Sequence, residues 1–449
     1  MNNFTDLAES LAAGTITSAS LVERCLAQIS DPQGEGSASF TKVYAESARA
    51  SAAANDKLRL AGRAPSPYAG IPISVKDLFD IAGEPTPAGS VVLADAEPAK
   101  VTAPAIARLL AAGLIPIGRS NMVEFAFSGL GLNPHYGTPR SPWDRETGRI
   151  PGGSTSGGAV SVSDGMAIAA IGTDTGGSCR IPAAMCGIVG YKPTARRIPT
   201  IGAFPLSTTL DSIGPLADSV ACCAILDAIM AGETPAAPAP MSLTGLRVAL
   251  PANFVLEQME NEVAQAYANA LAALEAAGAK LVETAFPALD EIAPVQAKGG
   301  LNVPEAWATH RALLAIEGNA ERYDQRVRAR IERGGSIPAA DYIDAIRARA
   351  RVIAAMDLQT RDYDVLAMPT CPRVPPAIAA LEADDDAYGT TNLLMLRNTA
   401  AANFLDRCAI SIPCHVPGEA PVGLMLMGET MGDARLFRIA AAVEAALAE

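Results

Sequence analysis

The stretch that decides the fold opens Pro151-Gly152-Gly153-Ser154-Thr155-Ser156-Gly157-Gly158. It closes Gly172-Thr173-Asp174-Thr175-Gly176-Gly177-Ser178-Cys179-Arg180-Ile181-Pro182. The residues between, 159–171, are mostly small and apolar and contain no proline. Length and flanking glycines predict a short helix from 156 to about 164 and a buried strand over 166–171. A helix followed by a returning strand carries its two bounding loops to one end of a sheet, where Ser154 and Ser178 can meet. Glycine admits backbone angles that other residues avoid and lets groups approach the main chain. Successive amides in such loops can converge on one point as a concave anion site. That suits a bound phosphate or the oxyanion of an acyl-transfer transition state. A pair of flexible turns is the plain alternative, and two such loops that each carry a serine weigh against it.

A serine hydroxyl is a poor nucleophile and needs a base. Upstream, Ile71-Pro72-Ile73-Ser74-Val75-Lys76 has the pattern of a strand ending in a lysine, followed by Asp77. The apolar approach points to burial, against the plain alternative of a surface lysine at a strand end. A buried lysine gives up its proton more readily, which makes Lys76 a usable base near neutral pH. The chain has three histidines, His135, His310 and His415. None adjoins a glycine-flanked serine, and there is no G-x-S-x-G elbow. A histidine triad stays open, because its members can be distant in sequence.

These segments resemble the amidase signature family. The likeness rests on the twin glycines before Ser154, the run ending at Ser178, the Arg180-Ile181-Pro182 tail, and Gly70-Ile71-Pro72-Ile73-Ser74-Val75-Lys76-Asp77. Gly187-Ile188-Val189-Gly190-Tyr191-Lys192-Pro193-Thr194, Asp364-Val365-Leu366-Ala367-Met368-Pro369-Thr370 and Pro421-Val422-Gly423-Leu424 extend it over nearly the whole chain. Thr155 stands where Ser or Gly is usual, and Cys179 where Ile or Val is usual. Neither removes a catalytic group, so both bear on pocket shape.

The resemblance implies a Ser–Ser–Lys hydrolase with Ser178 as nucleophile, Ser154 as relay and Lys76 as base. It implies a cis Gly153–Ser154 peptide and an oxyanion hole from the backbone amides of Thr175, Gly176, Gly177 and Ser178. Ala126 and Phe127 would border the substrate pocket. Asp174 reads as a loop brace or a catalytic group, and bracing is favoured because the proposed proton path does not require it; Arg180 similarly reads as loop support ahead of a substrate clamp. The implied reaction is two-step acyl transfer on a small-molecule amide, with carbamates and esters as further substrates and no metal or cofactor. A second reading is the glutaminase (A) subunit of a tRNA-dependent amidotransferase, which works inside a complex. A nucleotide-binding module is a third, and the missing G-x-x-x-x-G-K-[ST] speaks against it. Gly129-x-Gly131 is no dinucleotide fingerprint, because Pro134 stands where the third glycine belongs.

Composition fits a globular protein. Of 449 residues, 49% are hydrophobic and 18% charged, enough apolar material for a large core. The formal charge of −13 argues against a nucleic-acid partner. The eight cysteines are scattered without a C-x-x-C pair and read as reduced, mostly buried thiols, with Cys179 also a candidate neighbour of the active site. The first residues have no signal-peptide pattern, and no apolar run approaches a membrane span. The expected location is cytoplasmic, with no membrane partner; a homodimer stays open.

The expected fold is α/β: one large α/β/α domain over 1–449, with a mixed central β-sheet flanked by helices. The signature core spans about 65–220, with a linker-like stretch at 231–240. Helices are expected over 5–30 (broken at Gly14), 40–60, 102–112, 219–230, 260–277, 306–360 and 432–448. Strands are expected at 115–118, 246–250, 279–283, 409–412 and 423–427. Residues 195–215 read as loop, and Asp384 to Asp386 as an exposed loop. The arginines of 306–360, Arg326, Arg328, Arg330, Arg347, Arg349 and Arg351, read as a solvated helix face, with an interaction surface as the alternative.

Overall fold

In a computed structural model that describes residues 3–297 and 299–448, the described strands form one mixed sheet of eleven. Along the chain they are β1 (Phe40–Val43), β2 (Pro72–Lys76), β3 (Ile115–Ser120), β4 (Ala169–Asp174), β5 (Val189–Lys192) and β6 (Ser212–Ala217). There follow β7 (Arg247–Pro251), β8 (Lys280–Thr284), β9 (Val365–Pro369), β10 (Ala409–Pro413) and β11 (Gly423–Met427). Their order across the sheet is β1-β3-β2-β4-β6-β5-β10-β11-β9-β7-β8. Helices flank the sheet, giving the expected α/β architecture. Among the described residues no helix is long and apolar enough to cross a membrane.

Two parallel pairings position the site. β2 pairs with β3 on one side and β4 on the other, both parallel. Every residue of β2 and β4 is buried, as expected where helices cover both faces of a sheet. Parallel neighbours end at the same edge. Lys76, the last residue of β2, and the loop that leaves β4 therefore share that edge. The helix Ser156–Ser163 precedes β4 and returns the chain to it, so the loop carrying Ser154 opens there as well.

The boundaries differ from expectation where turns or caps override the local pattern. β4 begins at Ala169, because Gly165 takes a left-handed turn and the Ala167 amide still bonds back to Ser161. It extends to Asp174, because antiparallel β6 pairs with it as far as Asp174–Ser212. Residues 40–43 form the edge strand β1 against β3, and only Ala45–Leu60 is helical; Phe40, Thr41 and Val43 favour extended backbone. β6 begins inside the stretch 195–215 expected to be loop and runs two residues past it. Asp384 to Asp386 are exposed, but Asp385 and Asp386 open the helix Asp385–Phe404 instead of lying in a loop; Asp384 caps it, accepting from the amides of Asp386 and Ala387. The stretch 306–360 divides into the helices Asn302–Leu314, Gln325–Arg333 and Ala339–Thr360. Seven of the eight cysteines are buried.

Candidate active site

Lys76 is fully buried at the end of β2. Its Nζ donates to Ser154 Oγ at 2.8 Å and to Thr173 Oγ1 at 3.0 Å. Burial depresses its pKa to about 8, and the carboxylates of Asp174 and Asp211 limit the fall. The Gly153–Ser154 peptide is cis. The next amide, Thr155 N–H, donates to the Ser178 carbonyl at 3.3 Å, which ties the two serine loops together. The Ser154 and Ser178 side chains share no hydrogen bond in this structure. Ser178 is 4% exposed, and that exposure opens on a cavity of about 510 Å³. Thr175, Gly176, Ala126 and Phe127 line the same cavity.

The loop after β4 is held from behind by Asp174. Its Oδ1 accepts from the Gly177 amide (2.8 Å) and Arg180 Nη2 (2.8 Å), and its Oδ2 from the Cys179 amide (3.1 Å) and Arg180 Nε (3.0 Å). Asn403 Nδ2 adds a bond to Oδ1 at 3.0 Å. Burial alone would raise this carboxyl, but the Arg180 guanidinium and these donors hold it at about 2. Asp174 and Arg180 thus occupy the bracing positions anticipated for them. The Gly177 amide is already engaged by Asp174, so of the four amides expected in the oxyanion hole it is the one turned to the brace. Gly177 has φ +137°, and a Cβ there would lie 2.2 Å from Thr399 Oγ1. Only glycine fits this position.

On the cavity side, Thr175 Oγ1 donates to Asp211 Oδ1 at 2.5 Å. Asp211 also accepts from the amides of Leu206 and Ser207. Burial lifts its pKa to about 6 against those bonds. The two unusual residues of the loops are accommodated by packing. Thr155 fills space that only glycines leave, since a Cβ at Gly158 or Gly172 would meet its Cγ2 at 2.7 Å. Cys179 is fully buried, and burial pushes its thiol pKa far up, so it packs rather than reacts.

The histidines lie elsewhere. His310 is packed among Phe125, Phe204 and Tyr323, and burial drives its pKa down to about 4. His135 bonds Glu124, and His415 lies beside the Val422 carbonyl. None lines the cavity with Ser178.

Sequence reading missed Thr173, Asp211, Arg330 and Asn392. Thr173 lies inside the quoted run, one residue before Asp174, and alternation along a strand was the available signal. Arg330 is not on a solvated face: it is half-buried, lines the cavity and bonds the Phe127 carbonyl at 2.6 Å. Arg349 also turns inward, to the carbonyls of Phe404 and Asn403. Arg347 and Arg351 are exposed as expected.

Comparison with known proteins agrees with this architecture. A family model described as Amidase matches residues 20–437. The chain is 38% identical to 2-amino-5-chloromuconic acid deaminase of Comamonas testosteroni, over 90% of this chain and 87% of that protein. It is 36% identical to the A subunit of glutamyl-tRNA(Gln) amidotransferase from Chloroflexus aggregans, over 96% of this chain and 93% of that protein. A crystal structure of an amidase superposes with TM-score 0.88 at 30% identity, covering 99% of both chains.

Proposed function

The chain belongs to the amidase family, and from that premise we propose that it hydrolyses the C–N bond of small-molecule amides through a seryl acyl-enzyme. The observation that carries this reading is the buried amine: Lys76 Nζ, with a pKa near 8, lies 2.8 Å from Ser154 Oγ beside the loop that presents Ser178 to the cavity.

In the proposed reaction Ser178 Oγ attacks the amide carbonyl carbon. Its proton passes to Ser154 Oγ while the Ser154 proton passes to neutral Lys76 Nζ. A hydroxyl both donates and accepts, so Ser154 can bridge the two. The contact between the serines forms with substrate bound, since catalytic hydrogen bonds commonly tighten only in the complex. The amides of Thr175, Gly176 and Ser178 face the oxyanion, with Gly177 shaping the loop. The proton then returns through Ser154 to the leaving nitrogen, the C–N bond breaks and the amine departs. Water, deprotonated along the same path, releases the acid. Carbamates and esters present a similar carbonyl and are further substrates.

The test is Ser178→Ala, expected to abolish turnover and labelling by a serine-directed phosphonate. Persistent labelling would mean that another residue is the nucleophile. The likeness to the glutaminase component of an amidotransferase over nearly the whole chain supports a second reading, a glutaminase that delivers ammonia to a partner. Glutaminase activity that appears only with a co-purifying partner protein would favour it.

A further inference from the structure

The cavity that Ser178 faces is lined by charge of one sign only. Among the described residues that line it are Arg330, Arg333 and Arg397, and none is Asp or Glu. None of the three guanidinium groups forms an ion pair with a described residue. Arg397 spends its donors on Asn398 and the carbonyls of Glu257 and Val255. Arg330 spends one, on the Phe127 carbonyl, and lies over the rings of Phe127 and Tyr388. Arg333 is exposed.

A second observation comes from Asn392, which lines the same cavity and is 1% exposed. Its Oδ1 accepts from the Gly129 amide at 2.8 Å and from Ser128 Oγ at 2.9 Å. The backbone donor fixes which end of the amide is oxygen. Asn392 Nδ2 is left buried with no partner. A buried donor without an acceptor is costly, which marks a place for one. Arg330 and Asn392 are anchored to consecutive residues of one segment, Arg330 to Phe127 and Asn392 to Ser128 and Gly129. Tyr388 ties them further, since its OH donates to Ser128 Oγ at 2.7 Å.

We infer that Arg330 and Asn392 form an anion subsite in the acyl-transfer cavity, and that the substrate is an amide that also carries a carboxylate. This rests on the amidase reading above. Arg330 supplies charge and free N–H donors, Asn392 Nδ2 supplies a fixed donor, and Arg333 adds positive potential at the mouth. Burial lowers the Arg330 pKa, consistent with a cation that lacks a built-in counter-charge. The same cavity gives a substrate ammonium no carboxylate to meet. A simple acid amide is therefore favoured over the zwitterion of free glutamine.

The experiment measures kcat/KM for succinamate, glutaramate and adipamate against butanamide, pentanamide and hexanamide, with glutamine alongside. The wild type is expected to prefer the best acid amide at least ten-fold over its neutral counterpart, and glutaramate over glutamine. Arg330→Met should cut the charged-to-neutral ratio by about 10²-fold, chiefly through KM, and Arg330→Lys should restore part of it. Arg333→Glu, at an exposed position, reads the same ratio if Arg330→Met folds poorly. A ratio near one in the wild type, or a ratio unmoved in Arg330→Met and Arg333→Glu, would overturn the subsite while leaving the amidase reading intact. Titration of glutaramate into Ser178→Ala separates the two claims. Arg330-dependent binding without hydrolysis of any amide by the wild type would sustain the subsite and sink the amidase reading; neither binding nor hydrolysis would sink both.

Discussion

Two lysines in this molecule are fully buried at strand ends, Lys76 on β2 and Lys192 on β5. Burial lowers both to about 8. Their partners differ. Lys76 donates to two hydroxyls, Ser154 and Thr173. Lys192 donates to two carbonyls, those of Pro193 (2.7 Å) and Arg407 (2.9 Å). A hydroxyl can pass a proton on; a carbonyl can only accept a hydrogen bond. The same desolvation therefore equips one lysine for proton transfer and leaves the other as a clamp joining two segments. A depressed pKa marks a candidate base only where the neighbouring atoms can exchange protons.

The sharpest way to break this contrast is to remove each amine in turn. Lys76→Met is expected to lower kcat/KM by about 10³-fold or more with the fold intact, because the nucleophile then has no base. Lys192→Met is expected to leave two buried carbonyls unpaired and to cost about 1–3 kcal/mol of stability, read as a lower Tm. Equal activity losses in two well-folded variants would erase the distinction. Asp174→Asn leaves Arg180 buried without its counter-charge. A loss of about 3–5 kcal/mol is expected, together with slower turnover as the Ser178 loop loosens. Denaturant unfolding and steady-state kinetics on the same preparation check both.

A pH-dependent effect is shared by the two lysines. Each is protonated in the unfolded chain up to about 10.5 and in the native state only up to about 8. Across that window the unfolded chain binds more protons, so stability should rise with pH as far as these two groups set it. Either substitution should flatten the rise, which chemical denaturation at pH 8 and pH 10 would detect.

How much of this was readable in advance follows from the range of each signal. The burial of Lys76 was legible in Ile71-Pro72-Ile73-Ser74-Val75, because a strand covered on both faces must be apolar throughout. The meeting of the two serine loops was legible from a helix and strand too short to separate them. Lys192 shows no such contrast in sequence, since its carbonyl partners include Arg407, far along the chain. Arg330 was misread for a similar reason. Its helix turns Val327 and Ile331 into the core, and an arginine beside that stripe can lie at the wall of a cavity or in water. Only the packing of Phe127 and Tyr388 decides which. Strand β6 was hidden by Gly214 and Pro215, which imitate a turn. The pairing of β6 with β5 runs through Leu216 and Ala217 alone, so a proline fits there.

The most direct test of the central claim is the pH dependence of Ser178 labelling by the phosphonate, measured in the wild type, Lys76→Met and Lys192→Met. The account predicts a rate that climbs about ten-fold per pH unit and levels off near pH 8 in the wild type and Lys192→Met, and a slow rate without that limb in Lys76→Met. A limb near pH 8 that survives in Lys76→Met at wild-type rate would contradict it.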